Sequence, residues 1–178
     1  MSILVVYAST HGHTAEIAAR VSEALGDGDL RDVASAHGLE LSDYDTVIIG
    51  ASIHVGHHQK ELVEWCERRA DVLNAMPSAF FSVCLTAADD SEESREATAA
   101  YLADFKARTG WTPRLQATFA GALQYREYDF ATRLLMRLLM KHQDRPTDAG
   151  RDYDFTDWPA VDEFARSCAA LPAGAASV

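Results

Sequence analysis

The chain has 178 residues, 48% hydrophobic and 24% charged, which is the length and composition of one ordinary folded domain and excludes a disordered or fibrous chain. Its 27 acidic residues outweigh 16 basic ones for a net charge of -11. A surface of that sign repels phosphate backbones, so nucleic acid is not an expected partner.

No apolar run reaches the roughly 18 residues of a membrane span, and no basic leader precedes the first apolar run. Cys66, Cys84 and Cys168 are widely spaced and fit small buried hydrophobes in a reducing compartment. A cytoplasmic protein is expected. Residues 3–8, ILVVYA, form a continuous β-branched run, the pattern of a central parallel strand covered on both faces. Ile17, Val21 and Leu25 then recur every four residues with Glu16, Arg20 and Glu23 off that stripe. This spacing predicts an amphipathic helix from Thr14, stopped by Gly26 and Gly28.

A weak second strand is expected at 30–33, then a polar linker through Asp43, then a third strand at 46–49 ending at Gly50. A helix over 59–73 turns Leu62, Val63, Cys66 and Ala70 inward. The fourth strand covers 79–85, and a helix over 91–108 starts in the capping and acidic residues SEES. A fifth strand is expected over 115–123 with Gly121 inside it, and a last helix over 161–171. This alternation predicts an α/β fold with helices on both faces of a parallel sheet, in a single domain over 1–178. Residues 124–158, rich in arginines and aromatics, interrupt the pattern as an insert.

Ligands of doubly wound sheets bind at the carboxyl ends of the strands, so the residues after strands one, three and four are the candidates. Ser9, Thr10, His11, Gly12, His13 and Thr14 lead straight from a strand into a helix. Hydroxyls, a glycine and the free N–H groups of a helix start compose an anion cradle that needs no cation. The segment is neither a Walker loop nor a GxGxxG turn, and the same residues also suit an ordinary capped turn. After strand three, Gly50 and Gly56 bracket a loop and allow close backbone approach to a ligand or a peptide flip. His54, His57 and His58 lack a carboxylate or cysteine at zinc spacing, so no metal is expected. After strand four, Thr86, Ala87, Ala88, Asp89 and Asp90 suit a flat ligand and equally a helix-capping loop.

Together the three loops resemble the FMN site of flavodoxins. Residues 9–14 take the place of the phosphate loop, GASIHVG flanks the isoalloxazine ring, and TAADD is the third loop. The resemblance implies a flavodoxin-like fold of five parallel strands in the order 2-1-3-4-5. More narrowly, GASI and GHH within 50–58, MPSAFFSVCL at 76–85, AGAL at 120–123 and YDFTDW at 153–158 resemble the menaquinone-dependent protoporphyrinogen IX dehydrogenases. These are long-chain flavodoxins of haem synthesis with a late insert.

That resemblance implies an FMN enzyme that removes hydrogen from protoporphyrinogen IX and passes electrons to a membrane quinone. It implies phosphate binding by Ser9 to Thr14. The ring would lie between Ser52, Ile53, His54, Val55, Gly56 and His57 on one side and Thr86, Ala87, Ala88 and Asp89 on the other, with loop amides at its polar edge. The segment from Tyr125 to about Arg151 becomes the insert that serves the porphyrinogen. Two departures stand out. Ile53, His54 and Val55 occupy the second loop where flavodoxins carry an aromatic, and Asp89, Asp90, Glu92 and Glu93 make acidic a region that is basic in related proteins.

The insert carries chemistry of its own. Asp129, Arg133, Arg137 and Lys141 recur every four residues as one polar stripe, and Phe130, Leu134, Leu135, Met136, Leu138, Leu139 and Met140 fill the rest. So wide an apolar arc suits a helix over 129–142 packed on several sides or laid at a membrane surface. Arginine is the natural carboxylate partner, which makes Arg126, Arg133 and Arg137 candidates for the two propionates of a porphyrinogen. His54 and His57 are the candidate proton relays by their ordinary titration range. The residues leave open a one-electron shuttle, an NAD(P)H-dependent quinone reductase and a regulatory domain that keeps the fold without FMN.

Overall fold

The computed structural model describes residues 1–54, 56–123 and 153–172. The first apolar run forms β1 (Ile3–Ala8), buried at every position but Tyr7 because both of its faces are covered. It leads through α1 (His13–Ala24) to β2 (Asp29–Asp32), and two 3-10 turns, Val33–Ala36 and Leu41–Asp43, shape the polar linker that follows. Next come β3 (Thr46–His54), β4 (His57–His58), α2 (Lys60–Glu67), α3 (Ala70–Ala75) and β5 (Ser78–Cys84). A 3-10 turn at Leu85–Ala88 precedes α4 (Glu92–Thr109), β6 (Leu115–Ala120), β7 (Ala122–Leu123), β8 (Tyr153–Asp154) and α5 (Trp158–Ala169).

The sheet runs β2-β1-β3-β5-β6 with every neighbour parallel. This is the expected 2-1-3-4-5 order, with the short β4 added as a hairpin against the end of β3. Alternate residues of the strands feed two cores. Leu4, Val6, Val47, Ile49 and Phe80 meet Leu62, Trp65, Phe105 and Trp111 on one face. Ile3, Val5, Ile48 and Phe81 meet Ile17, Val21, Val161 and Phe164 on the other. The large rings that reach polar ground find partners, Trp65 Nε1 donating to the Ala36 carbonyl (3.1 Å) and Trp111 Nε1 to Ser78 Oγ (3.0 Å). All three cysteines are free and buried, and burial pushes each thiol up from its ordinary range.

Three expected boundaries move. The third strand does not end at Gly50 but runs on to His54. Gly50 is a strand residue whose missing side chain makes room for the Phe81 ring, since a Cβ there would fall inside that ring. Close packing, and not approach to a ligand, explains this glycine. The helix over 59–73 is two helices, because Arg69 leaves helical geometry (φ -119°, ψ 8°). Its guanidinium folds back 4.5 Å over the Trp65 ring and donates to the His37 carbonyl (2.6 Å). The fifth strand splits at Gly121, whose N–H goes to the Cys84 carbonyl (3.1 Å) while its carbonyl accepts from Phe155 N–H (3.4 Å). Ala122 and Leu123 thereby leave the main sheet and pair antiparallel with Asp154 and Tyr153.

Candidate functional site

The residues after β1, β3 and β5 gather at the carboxyl edge of the sheet, as the parallel order requires. In the first loop Gly12 sits just before α1 at φ 90°, a conformation that L side chains rarely adopt. Its N–H donates to Ser9 Oγ (3.0 Å). The helix ladder begins with Glu16 N–H to the Gly12 carbonyl (3.1 Å), so the N–H groups of His13, Thr14 and Ala15 lie ahead of it without intrahelical acceptors. Thr14 is only 2% exposed, yet its hydroxyl has no hydrogen-bond partner among the described residues. A buried hydroxyl left unpaired is costly, and open space lies beyond the Cα of Gly12. Donors without acceptors at the positive end of a helix dipole fit an anion.

The second loop is a strand end and a tight hairpin. Ser52 and Ile53 are half-buried on β3, Gly56 turns the chain at φ 79°, and His54 pairs with His57 across the hairpin. Val55 lies outside the described residues. His54 is exposed, and its ring lies 6.0 Å from that of His11, so the first two loops meet through imidazoles. His58 faces the other way. Its Nε2 lies 2.9 Å from Ser82 Oγ and its ring stands edge-on to Phe80 and Phe105. Burial pushes it down to about 4, so it is neutral packing and no partner to His54 and His57. Gln59, unremarked in the sequence, ties the loops together. Its Oε1 accepts from Ser52 N–H (3.2 Å), and its Nε2 donates to Ser52 Oγ and to Thr10 Oγ1 (3.3 Å).

The third loop directs its polar groups inward. Thr86, Ala87 and Ala88 are half-buried in the 3-10 turn, and the Thr86 and Ala87 N–H groups face the Cys84 sulfur. Asp89 uses its carboxylate on the start of α4, accepting from Ser91 N–H (3.2 Å), Ser91 Oγ (2.9 Å) and Ser94 Oγ (3.1 Å). It braces there the N-cap residue Ser91, whose own Oγ accepts from Ser94 N–H (3.2 Å). Among the described residues no three His, Cys, Asp or Glu side chains converge on a point.

His13 joins the first loop to the far end of the insert. Its Nδ1 lies 3.1 Å from Glu16 Oε2 and its Nε2 2.7 Å from Thr156 Oγ1. Thr156 Oγ1 donates to the Ala120 carbonyl (3.0 Å), so the His13 Nε2–H is the donor to it. Asp154 lies 3.5 Å from the same nitrogen. Burial raises the Asp154 carboxyl, but hydrogen bonds from Thr156 and from Trp158 Nε1 outweigh it and hold the group below its ordinary range. Thr156 and Asp154 stand in the YDFTDW segment, and only the fold reveals what they do. Arg126, Arg133 and Arg137 lie outside the described residues, as does the span 129–142.

A family model described as a flavodoxin domain matches residues 4–150 of this chain. The protoporphyrinogen IX dehydrogenase (quinone) of Leishmania major is 37% identical over 174 residues, 95% of this chain and 75% of its own. The protein of the same description in Escherichia coli (strain K12) is 37% identical over 175 residues, 96% of each chain. Among solved structures, oxidised Flavodoxin 2 from Bacillus cereus superposes with a TM-score of 0.58 at 18% identity, covering 96% of this chain and 99% of that one.

Proposed function

The chain belongs to the flavodoxin domain family and, within it, to the protoporphyrinogen IX dehydrogenases (quinone), and on that premise we propose that it is an FMN-dependent oxidoreductase of haem synthesis. Its reaction takes hydrogen from protoporphyrinogen IX and delivers the electrons to a quinone, menaquinone in our reading. The observation that carries the proposal is the first loop. Three helix-start N–H groups, a buried Thr14 hydroxyl without a partner among the described residues and open space beyond Gly12 form a site with the chemistry to hold an anion.

Bound FMN supplies the redox chemistry, accepting reducing equivalents from one partner and releasing them to another. The chain's own residues bind and orient. Ser9, Thr10 and Thr14 hydroxyls with the N–H groups of His13, Thr14 and Ala15 hold the phosphate and need no lysine or arginine to do so. Ser52 to His57 flank one side of the ring, and Thr86 to Ala88, whose small side chains leave room, flank the other. Asp89 supports this third loop through its bonds to Ser91 and Ser94. His54 and His57, exposed at the hairpin tip, are the groups placed to pass protons between the site and solvent. Arg126, Arg133 and Arg137 take the substrate's carboxylates, and the stretch 129–142 touches the inner membrane surface where the quinone resides.

The test is an anaerobic mixture of FMN-loaded protein with protoporphyrinogen IX. The oxidised-flavin absorbance should bleach and return when menaquinone is added. Flavin that binds but stays oxidised would replace this reading with that of an electron shuttle. Reversing Arg133 and Arg137 to Glu should raise the porphyrinogen KM and leave FMN affinity unchanged; an unchanged KM would remove both residues from the substrate site.

A further inference from the structure

We propose that Gln59 is a positioning residue that fixes the hydrogen-bond polarity of the cofactor site, making the Thr10 and Ser52 hydroxyls donors toward the ligand. This rests on the FMN reading above. Gln59 stands at the N-cap position of α2, yet its side chain makes no bond to that helix. It reaches instead across the ends of two neighbouring strands, toward the residues just beyond the β1–β3 register pair Ala8 and Ala51.

The orientation of the amide follows from chemistry. A backbone N–H only donates, so the group facing Ser52 N–H is Oε1 and the group facing the two hydroxyls is Nε2. An amide nitrogen has two hydrogens and no acceptor capacity, so Thr10 Oγ1 and Ser52 Oγ must both accept. Each hydroxyl keeps its own proton, and neither gives it to an acceptor among the described residues. Ser9 behaves alike, since its Oγ already accepts from Gly12 N–H. Thr10 lies in the loop that holds the phosphate and Ser52 in the loop beside the ring. One side chain therefore presets donors at both ends of the cofactor, which suits a ligand rich in acceptors at each end.

The test compares FMN dissociation constants for the wild type, Gln59→Met and Gln59→Glu, each with Thr10 and Ser52 intact and with the T10V/S52A pair. Methionine leaves the hydroxyl protons free, whereas a carboxylate accepts them and withdraws them from the ligand. With the hydroxyls intact, Q59M should bind FMN roughly tenfold tighter than Q59E, the scale of a hydrogen bond to a charged group. In the T10V/S52A background most of that gap should vanish. Equal weakening by Q59M and Q59E would reduce Gln59 to a brace between loops and overturn the proposal. A gap that persists without the hydroxyls would assign it to repulsion between Glu and phosphate, and also overturn it. Wild-type protein that takes up no FMN would overturn the cofactor reading itself, an outcome distinct from either pattern. Thermal melts of each variant check the fold, and Gln59→Asp replaces Q59E should that variant not fold.

Discussion

The first and third loops leave the same edge of the same sheet and end in helices, yet they treat their polar groups in opposite ways. After β1, the Thr14 hydroxyl and the N–H groups of His13, Thr14 and Ala15 have no acceptor among the described residues, and Gly12 turns the chain into the helix at positive φ. After β5, the Asp89 carboxylate accepts from Ser91 and Ser94 at the start of α4, and the Thr86 and Ala87 amides face Cys84. Position at the edge of a doubly wound sheet does not by itself make a loop an anion cradle. What separates the two is whether the protein consumes its own hydrogen bonds.

The widest gap between the loops should appear on replacing Thr10 and Thr14 together by Val. Two hydrogen bonds to a charged phosphate are worth about 1.5–3 kcal/mol each, so FMN affinity should fall by roughly a hundredfold or more in a fluorescence titration. Of the two, T14V alone should melt no lower in the ligand-free protein, because it removes an unpaired buried hydroxyl at nearly constant volume, whereas T10V also deletes an acceptor of Gln59 Nε2. A loss of stability in T14V itself would mean that the Thr14 hydroxyl serves the fold and not the ligand.

His58 tests the inward class in the second loop. Its folded pKa of about 4 lies below the ordinary value of 6.5, so the unfolded chain binds the proton first as pH falls. The stability that comes from keeping it neutral is complete above about pH 6.5 and is lost as pH drops toward 4, a total of about 3 kcal/mol. Denaturant titrations across that window should show the slope, and His58→Leu should flatten it. An unchanged slope in the variant would place the acid sensitivity elsewhere.

Asp89→Ala should have a smaller effect and the reverse signature of the threonines. Loss of the hydrogen bonds that brace the N-cap Ser91 should lower stability by about 1 kcal/mol while FMN affinity stays put. Gly12→Ala, which forces a side chain into positive φ, should cost about 1 kcal/mol and weaken FMN binding by deforming the cradle. If D89A weakened FMN binding as much as the threonine pair, the contrast between the loops would collapse.

The alternation of strands and helices and the places of the three loops were legible because their signals are local, while the strand order came from the resemblance to flavodoxins. An apolar run gives way to helical spacing within a few residues, and the loop lies between. The features that escaped depend on contacts remote in the chain. Gly50 answers to Phe81, Gln59 to Thr10, and the break at Gly121 to Cys84 and Phe155. His54, His57 and His58 look alike as letters. The hairpin register, pairing Ile53 with His58 and His54 with His57, sends one ring among Phe80, Phe105 and Ser82 and leaves the others exposed. Parity of a two-residue strand is beyond sequence spacing when the turn before it is unknown.

The ribbon of β7 and β8 has a consequence for how this chain came to be longer than a five-stranded sheet needs. Leu123 and Tyr153 pair across the ribbon, so the chain departs and returns at the same place. An excursion whose two ends already touch costs a loop-closure entropy that grows slowly with its length. Each doubling of the residues between such a pair adds only about 0.6 kcal/mol of that entropy, so length is cheap to acquire at this point of the chain.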